Sequence, residues 1–180
     1  MQDHELLEKF QQADSKNYAF NLLVRKYQER VYWHIRKMVL VHEDADDLVQ
    51  DVFVKVWKNL HKFNQDASLF TWIYRIATNE CLTFLNKKKR KLFSSAGSEI
   101  NEELVDNLVA SNELSGDEIE IKLQKALTTL PEKQRLVFHM KYFDDMKYNE
   151  ISEVLDTSVG GLKASYHHAV KKIETYLTDN

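Results

Sequence analysis

Residues Thr71–Lys91 read TWIYRIATNECLTFLNKKKRK. At about 100° per residue, apolar side chains fall on one arc of this stretch and polar ones on another, as in an amphipathic helix. Phe70, Ile73, Tyr74, Ala77, Cys81, Phe84 and Leu85 face one way. Trp72, Arg75, Asn79, Thr83 and Asn86 face the other. The second face offers a stacking ring, a cation, amides and a hydroxyl, the groups that hold unpaired bases. One stacked base is worth roughly 1–3 kcal/mol. The competing structural reading packs Trp72 beneath the preceding loop, since large aromatics are mostly buried. Lys87, Lys88, Lys89, Arg90 and Lys91 close the stretch, adding a sequence-independent attraction to phosphate that salt weakens.

Such a helix sits in an acidic chain. The 180 residues carry a formal net charge of -3, a length that suits one or two small domains. Hydrophobic residues make up 43% and charged residues 29%, enough to bury a core and keep a polar surface. One proline and four glycines argue against a turn-rich all-β protein and for helices. The charge is unevenly spread. Glu43, Asp44, Asp46, Asp47 and Asp51 form an acidic block, and no Lys or Arg occurs from Phe93 to Glu120. That composition shift marks a domain boundary. The expected organisation is a first domain over 1–92, an acidic linker over 93–117 and a second domain over 118–180, all-α throughout. The single cysteine, Cys81, excludes an internal disulfide and fits a reducing cytoplasm. The opening MQDHELLEKF does not have the pattern of a secretory signal, and no apolar run is long enough to span a bilayer.

In the N-terminal part, Leu23, Tyr27, Val31 and Ile35 form one helical row, with a break near Asp14–Ser15. The next helix is expected over about Glu43–Leu60. Ala45, Leu48, Val49, Val52, Phe53 and Val56 share its buried arc, opposite Asp44, Asp47, Asp51, Lys55 and Lys58. Acids first and lysines last complement the helix dipole, so a plain surface helix accounts for the pattern. A rigid acidic stripe with Gln50 at its edge also suits docking on a basic helical partner. His61–Leu69 reads as a loop, with Ser68 as the following cap.

From Ile119 onward, four helices are expected. Pro131 suits a first turn, so one starts near Leu130; FDDM ends it. A short helix over about Tyr148–Leu155, the turn DTS and a helix to about Leu177 make a helix-turn-helix candidate. In its second helix Leu162, Tyr166, Ala169 and Ile173 share the inner arc. Gly160, Ala164, His167 and Lys171 share the outer one, flanked by Lys163 and His168. Small residues near its start allow deep seating in a major groove. Lys163 and His167 then reach base edges and Lys171 reaches phosphate. A generic helical hairpin is the simpler alternative.

Three stretches in order, DADDLVQDVFVKVW, FTWIYRIATNECLTFL and LPEKQRLVFHMKYFDDMKYNEISEVLDTSVGGLKASYHHAVKKI, make the chain resemble a bacterial RNA polymerase sigma factor of the extracytoplasmic-function (ECF) group. The resemblance covers nearly the whole chain and implies a division of labour. Asp47, Gln50 and Asp51 match the motif that docks on core RNA polymerase. Phe63, Trp72, Arg75 and Asn79 match positions that melt the -10 promoter element and capture a flipped base, with Lys87 and Lys88 nearby. Val159, Lys163, Ala164 and His167 match positions that read the -35 element as duplex, with Arg135 near the phosphates. The linker would thread toward the polymerase active centre and RNA exit channel. An anti-sigma factor is an implied partner. Two departures stand out: Thr83 and Asn86 where many members carry Asp and Arg, and Asp156 where Gly is frequent.

Two other function classes fit the sequence less well. A stand-alone helix-turn-helix regulator leaves the single-strand face of the first domain without a task. An enzyme requires a phosphate loop, a nucleophile motif or paired metal ligands, and no such motif occurs in the sequence. No cofactor is expected, and the adjacent His167 and His168 lack metal-site spacing.

Overall fold

Polar breaks along the chain set the lengths of its helices, and apolar rows decide which side of each is buried. The computed structural model describes residues 1–93 and 118–179, without the side chains of 89–93, 118 and 120. Among the described residues there are eight α-helices and no strand, so the fold is all-α. The expected acidic linker, apart from Phe93, lies outside the described residues.

Helices α1 (Asp3–Gln11) and α2 (Lys16–Val39) part at the Asp14–Ser15 break. The Ser15 hydroxyl donates to the Lys9 carbonyl at 2.8 Å and closes the end of α1. Leu23, Tyr27, Val31 and Ile35 of α2 are all buried, as the row requires. Helix α3 (His42–Asn59) buries Ala45, Leu48, Val52, Phe53 and Val56. The chain then differs from the expected loop. Leu60–Lys62 forms a 3-10 turn, because the Phe63 N–H bonds back to the Leu60 carbonyl at 3.2 Å and tightens the end of α3. Helix α4 (Leu69–Phe93) follows. Ser68 caps it, accepting from the Thr71 N–H at 3.0 Å.

The second half contains α5 (Glu118–Thr128), α6 (Glu132–Phe138), α7 (Tyr148–Leu155) and α8 (Val159–Asp179). Pro131 is the N-cap of α6 and not a first-turn residue, with extended ψ of 142°. Helix α6 widens into a π turn over His139–Phe143, and Asp144 and Asp145 end it. Asp156 closes α7 in the left-handed region, φ 49°. Gly adopts that conformation without penalty, and Asp tolerates it better than most residues. The Ser158 hydroxyl accepts from the Gly161 N–H at 3.3 Å, capping α8.

One apolar cluster runs from Leu6 and Phe10 through α2, α3 and α4 into Leu136, Met140, Met146, Ile151 and Leu162. A smaller one joins α5, α6 and α8 through Leu127, Leu130, Phe138, Ala169 and Ile173. Helix α7 therefore lies against α4. Each fully buried aliphatic at this seam contributes about 1.5–3 kcal/mol, which favours the closed arrangement of the two halves.

Candidate nucleic-acid interface

The outward side of α4 is not sealed in the core. Trp72 is half-buried: its ring lies 5.3 Å from Phe63, centroid to centroid, tilted by 48°. The packing of Trp72 on the preceding loop is present, and part of the ring remains accessible. Trp72 also lines an open cleft of about 350 Å³ between α3 and α4, with Lys55, Asn59, Lys62, Ile76 and Asn79. Asn79 is exposed. Lys55 pairs with Glu80 across the cleft. An aromatic wall, two amides and Lys62 suit a base and its phosphate, while the Glu80 carboxylate in the same lining holds Lys55. In the sequence Lys55 reads only as a lysine on the polar face of its helix, and Asn59 and Lys62 carry no signal of their own. Their signal was the end of α3 facing the start of α4, which only the loop geometry reveals.

Arg75 is exposed as well, but it is tied to α7. Its Nε donates to the Glu153 carbonyl of α7 at 2.8 Å, and Nη2 donates to the same oxygen. The Thr83 hydroxyl donates to the Asn79 carbonyl at 2.8 Å, a local bond that occupies it. Lys87 is exposed. Lys88 pairs with Asp44 at 2.9 Å and must leave it to meet phosphate. Asp44 is therefore half-buried and not part of a free acidic stripe.

The rest of that stripe is open. Asp47, Gln50 and Asp51 are exposed on α3, because Leu48 and Val52 beside them point inward. Val54 continues the stripe one turn on and is 49% exposed. Two carboxylates beside an uncovered apolar side chain suit a basic protein partner.

On α8, Lys163, Ala164, His167 and Lys171 are exposed along one side, and Val159 is half-buried at its start. A Cβ at Gly160 would meet nothing within 4 Å, so that end of the helix is uncovered. Arg135 stands apart from this set. It is half-buried beside Met38, Leu82, Leu85 and His139, at the seam between the two halves. Burial lowers its guanidinium from the usual range, against the pull of Glu132.

The seam holds polar residues that the sequence reading passed over. His34 Nδ1 lies 2.8 Å from Asp144 Oδ2, and Nε2 lies 3.0 Å from the Thr78 hydroxyl. Both His34 and Thr78 fall on buried arcs of their helices. A polar residue among Val31, Ile35, Tyr74 and Cys81 was the available clue. Lys37 Nζ sits 4.4 Å from the Phe143 ring centroid. His139 is buried, and desolvation first, then Arg135, His34 and Lys37, push it down to about 3. Burial pushes the Cys81 thiol up to about 12, leaving it unreactive.

Comparison with known proteins places this geometry. The chain is 30% identical to the ECF RNA polymerase sigma-E factor of Haemophilus influenzae, over 96% of this chain and 93% of that protein. It is 31% identical to the sigma-E factor of Escherichia coli K12, over 96% and 92%. The chain belongs to the ECF family of RNA polymerase sigma factors. Within this sigma factor, the family described as Sigma-70 region 2 matches residues 23–91, which run through α2, α3 and most of α4. Sigma-70, region 4 matches residues 120–173, through α5 to most of α8. The RNA polymerase sigma-H factor of Pseudomonas aeruginosa is 29% identical over 98% of this chain and 94% of its own. Two solved structures share the fold. CnrH, in complex with the cytosolic domain of CnrY, matches with a TM-score of 0.71 at 24% identity, over 99% and 98% of the two chains. The sigma factor RpoE with the anti-sigma factor NepR from Bartonella quintana gives 0.69 at 19%, over 88% and 96%. No helix among the described residues is long and apolar enough to cross a membrane.

Proposed function

We propose that the two halves of this ECF sigma factor divide the work of transcription initiation. Residues 1–92 form the unit that docks on core RNA polymerase and opens the -10 element. Residues 93–117 form the connecting linker. Residues 118–180 form the unit that reads the -35 element as duplex. Asp47, Gln50 and Asp51 dock through the open stripe of α3. Phe63, Trp72, Arg75 and Asn79 take unpaired -10 bases, with Lys87 and Lys88 attracting phosphate. Val159, Lys163, Ala164, His167 and Lys171 meet the -35 major groove and its backbone. Arg135 reaches phosphate only after the seam parts.

The observation that carries this reading is the cleft beside Trp72 and Asn79, on the same chain as a separate helix with an exposed basic side. A duplex-only regulator has no use for the first. The protein acts by binding and not by catalysis, in the cytoplasm where polymerase works, and an anti-sigma factor is its natural regulator. The solved complex of the Bartonella quintana sigma factor with NepR supports that last point. In vitro transcription with core polymerase on a promoter library tests the proposal. Initiation at promoters sharing -10 and -35 elements is expected. Duplex binding without any initiation would contradict it.

A further inference from the structure

The contact between the two halves is built around a buried polar set. His34 is 1% exposed and sits in α2 among Val31, Ile35 and Met38. The Asp144 side chain, 7% exposed, enters from the turn that ends α6. With the proton on Nδ1, the imidazole donates to the Asp144 carboxylate and accepts from the Thr78 hydroxyl. All three groups are then satisfied. Buried polar groups cost heavily unless each is paired, so a complete set defines one geometry of closure. Two further contacts lie along the same seam. Lys37 rests on the Phe143 ring, and Arg75 is held by the Glu153 carbonyl.

We infer that His34, Thr78 and Asp144 form a latch that keeps the free sigma factor closed, withholding Arg75 from the promoter strand while leaving the polymerase-docking stripe open. For the task of Arg75 and of the stripe, this inference rests on the proposed function. It adds an order of events. Asp47, Gln50 and Asp51 are exposed in the closed state, so polymerase docks first. The grip of Arg75 on the strand follows only when Asp144 leaves His34 and α7 releases that side chain.

Full-length protein with donor and acceptor dyes at Glu8→Cys and Thr178→Cys reports closure without DNA. Cys81 is buried and will not take dye. Wild type is expected to give high energy transfer. Asp144→Ala removes a charge-assisted bond from a buried partner and shifts the closed-to-open balance by about ten- to a hundredfold, lowering transfer. Asp144→Asn keeps an acceptor oxygen and recovers most of it. Thr78→Val removes the other bond to His34 and also lowers transfer. The helical circular dichroism signal should be the same in all forms. A labelled single-stranded -10 oligonucleotide should bind Asp144→Ala several-fold more tightly than wild type, with Asp144→Asn between them. Equal transfer in wild type and Asp144→Ala overturns the latch. Opening with no gain in strand binding overturns its gating role. If no form, wild type included, supports initiation with core polymerase, the proposed function fails, and the dye measurement still decides the latch.

Discussion

Helices α4 and α8 both carry polar residues suited to nucleic acid, yet they stand differently toward the rest of the chain. The outer side of α8 is exposed along Lys163, Ala164, His167 and Lys171, with the Lys163 ammonium near the Tyr148 ring, at 5.8 Å. That of α4 is divided: Trp72 leans on Phe63, Arg75 is bound to the Glu153 carbonyl, and Asn79 opens on the cleft. A duplex reader meets a ligand that exists beforehand, so its face is complete once folded. A single-strand reader has no ligand until a duplex is melted. Its groups meanwhile rest on their own chain, where burial and hydrogen bonds offset the cost of exposing them.

The contrast can be broken most sharply through the third surface, the α3 stripe. Asp51→Arg places a cation among acids that the account assigns to polymerase. Core polymerase binding should weaken by roughly 2–5 kcal/mol, measured by fluorescence anisotropy. Binding of -35 duplex by the same variant should not change. Unweakened polymerase binding would remove α3 from the docking surface.

Next comes acid sensitivity at the seam. His139 stays neutral when folded, since burial and the nearby cations depress it from 6.5 to about 3. Between those values the unfolded chain takes up a proton that the folded chain refuses. Stability should be full above pH 6.5 and fall progressively as the pH drops toward 3. Urea denaturation across that range should show the loss, and His139→Leu should reduce it. An equal loss in the variant would place the acid sensitivity elsewhere. The smallest expected effect concerns α8. Lys163→Ala should weaken -35 duplex binding by about 1–3 kcal/mol, as for one good base contact, and leave polymerase binding intact. A uniform loss across unrelated duplexes would make Lys163 a phosphate contact instead.

Much of this was legible in the sequence where the signal is local. The row Leu23, Tyr27, Val31 and Ile35, the Ser68 cap, and the outward side of α8 follow from helical spacing and short-range bonding. Asp47, Gln50 and Asp51 face out for the same reason. What could not be read depends on which helices meet. Asp44 was grouped with the free stripe, but it pairs with Lys88, 44 positions away. Asp144 looked like a helix breaker and is also the partner of His34, 110 positions away. Arg135, expected near phosphates, also borders the seam, because Met38, Leu82 and Leu85 come from the other half. Periodicity shows that a side chain points inward or outward. It does not show what stands opposite.

The central claim is that the outward side of α4 captures unpaired -10 bases, and Asn79 is its most exposed test. A fluorescent base analogue in the -10 element brightens on unstacking when promoter DNA is mixed with core polymerase and this protein. With Asn79→Ala the rise should be slower, by roughly 1 kcal/mol or more in the barrier, with the -35 footprint unchanged. A rise as fast as wild type would mean that α4 does not hold the opened strand.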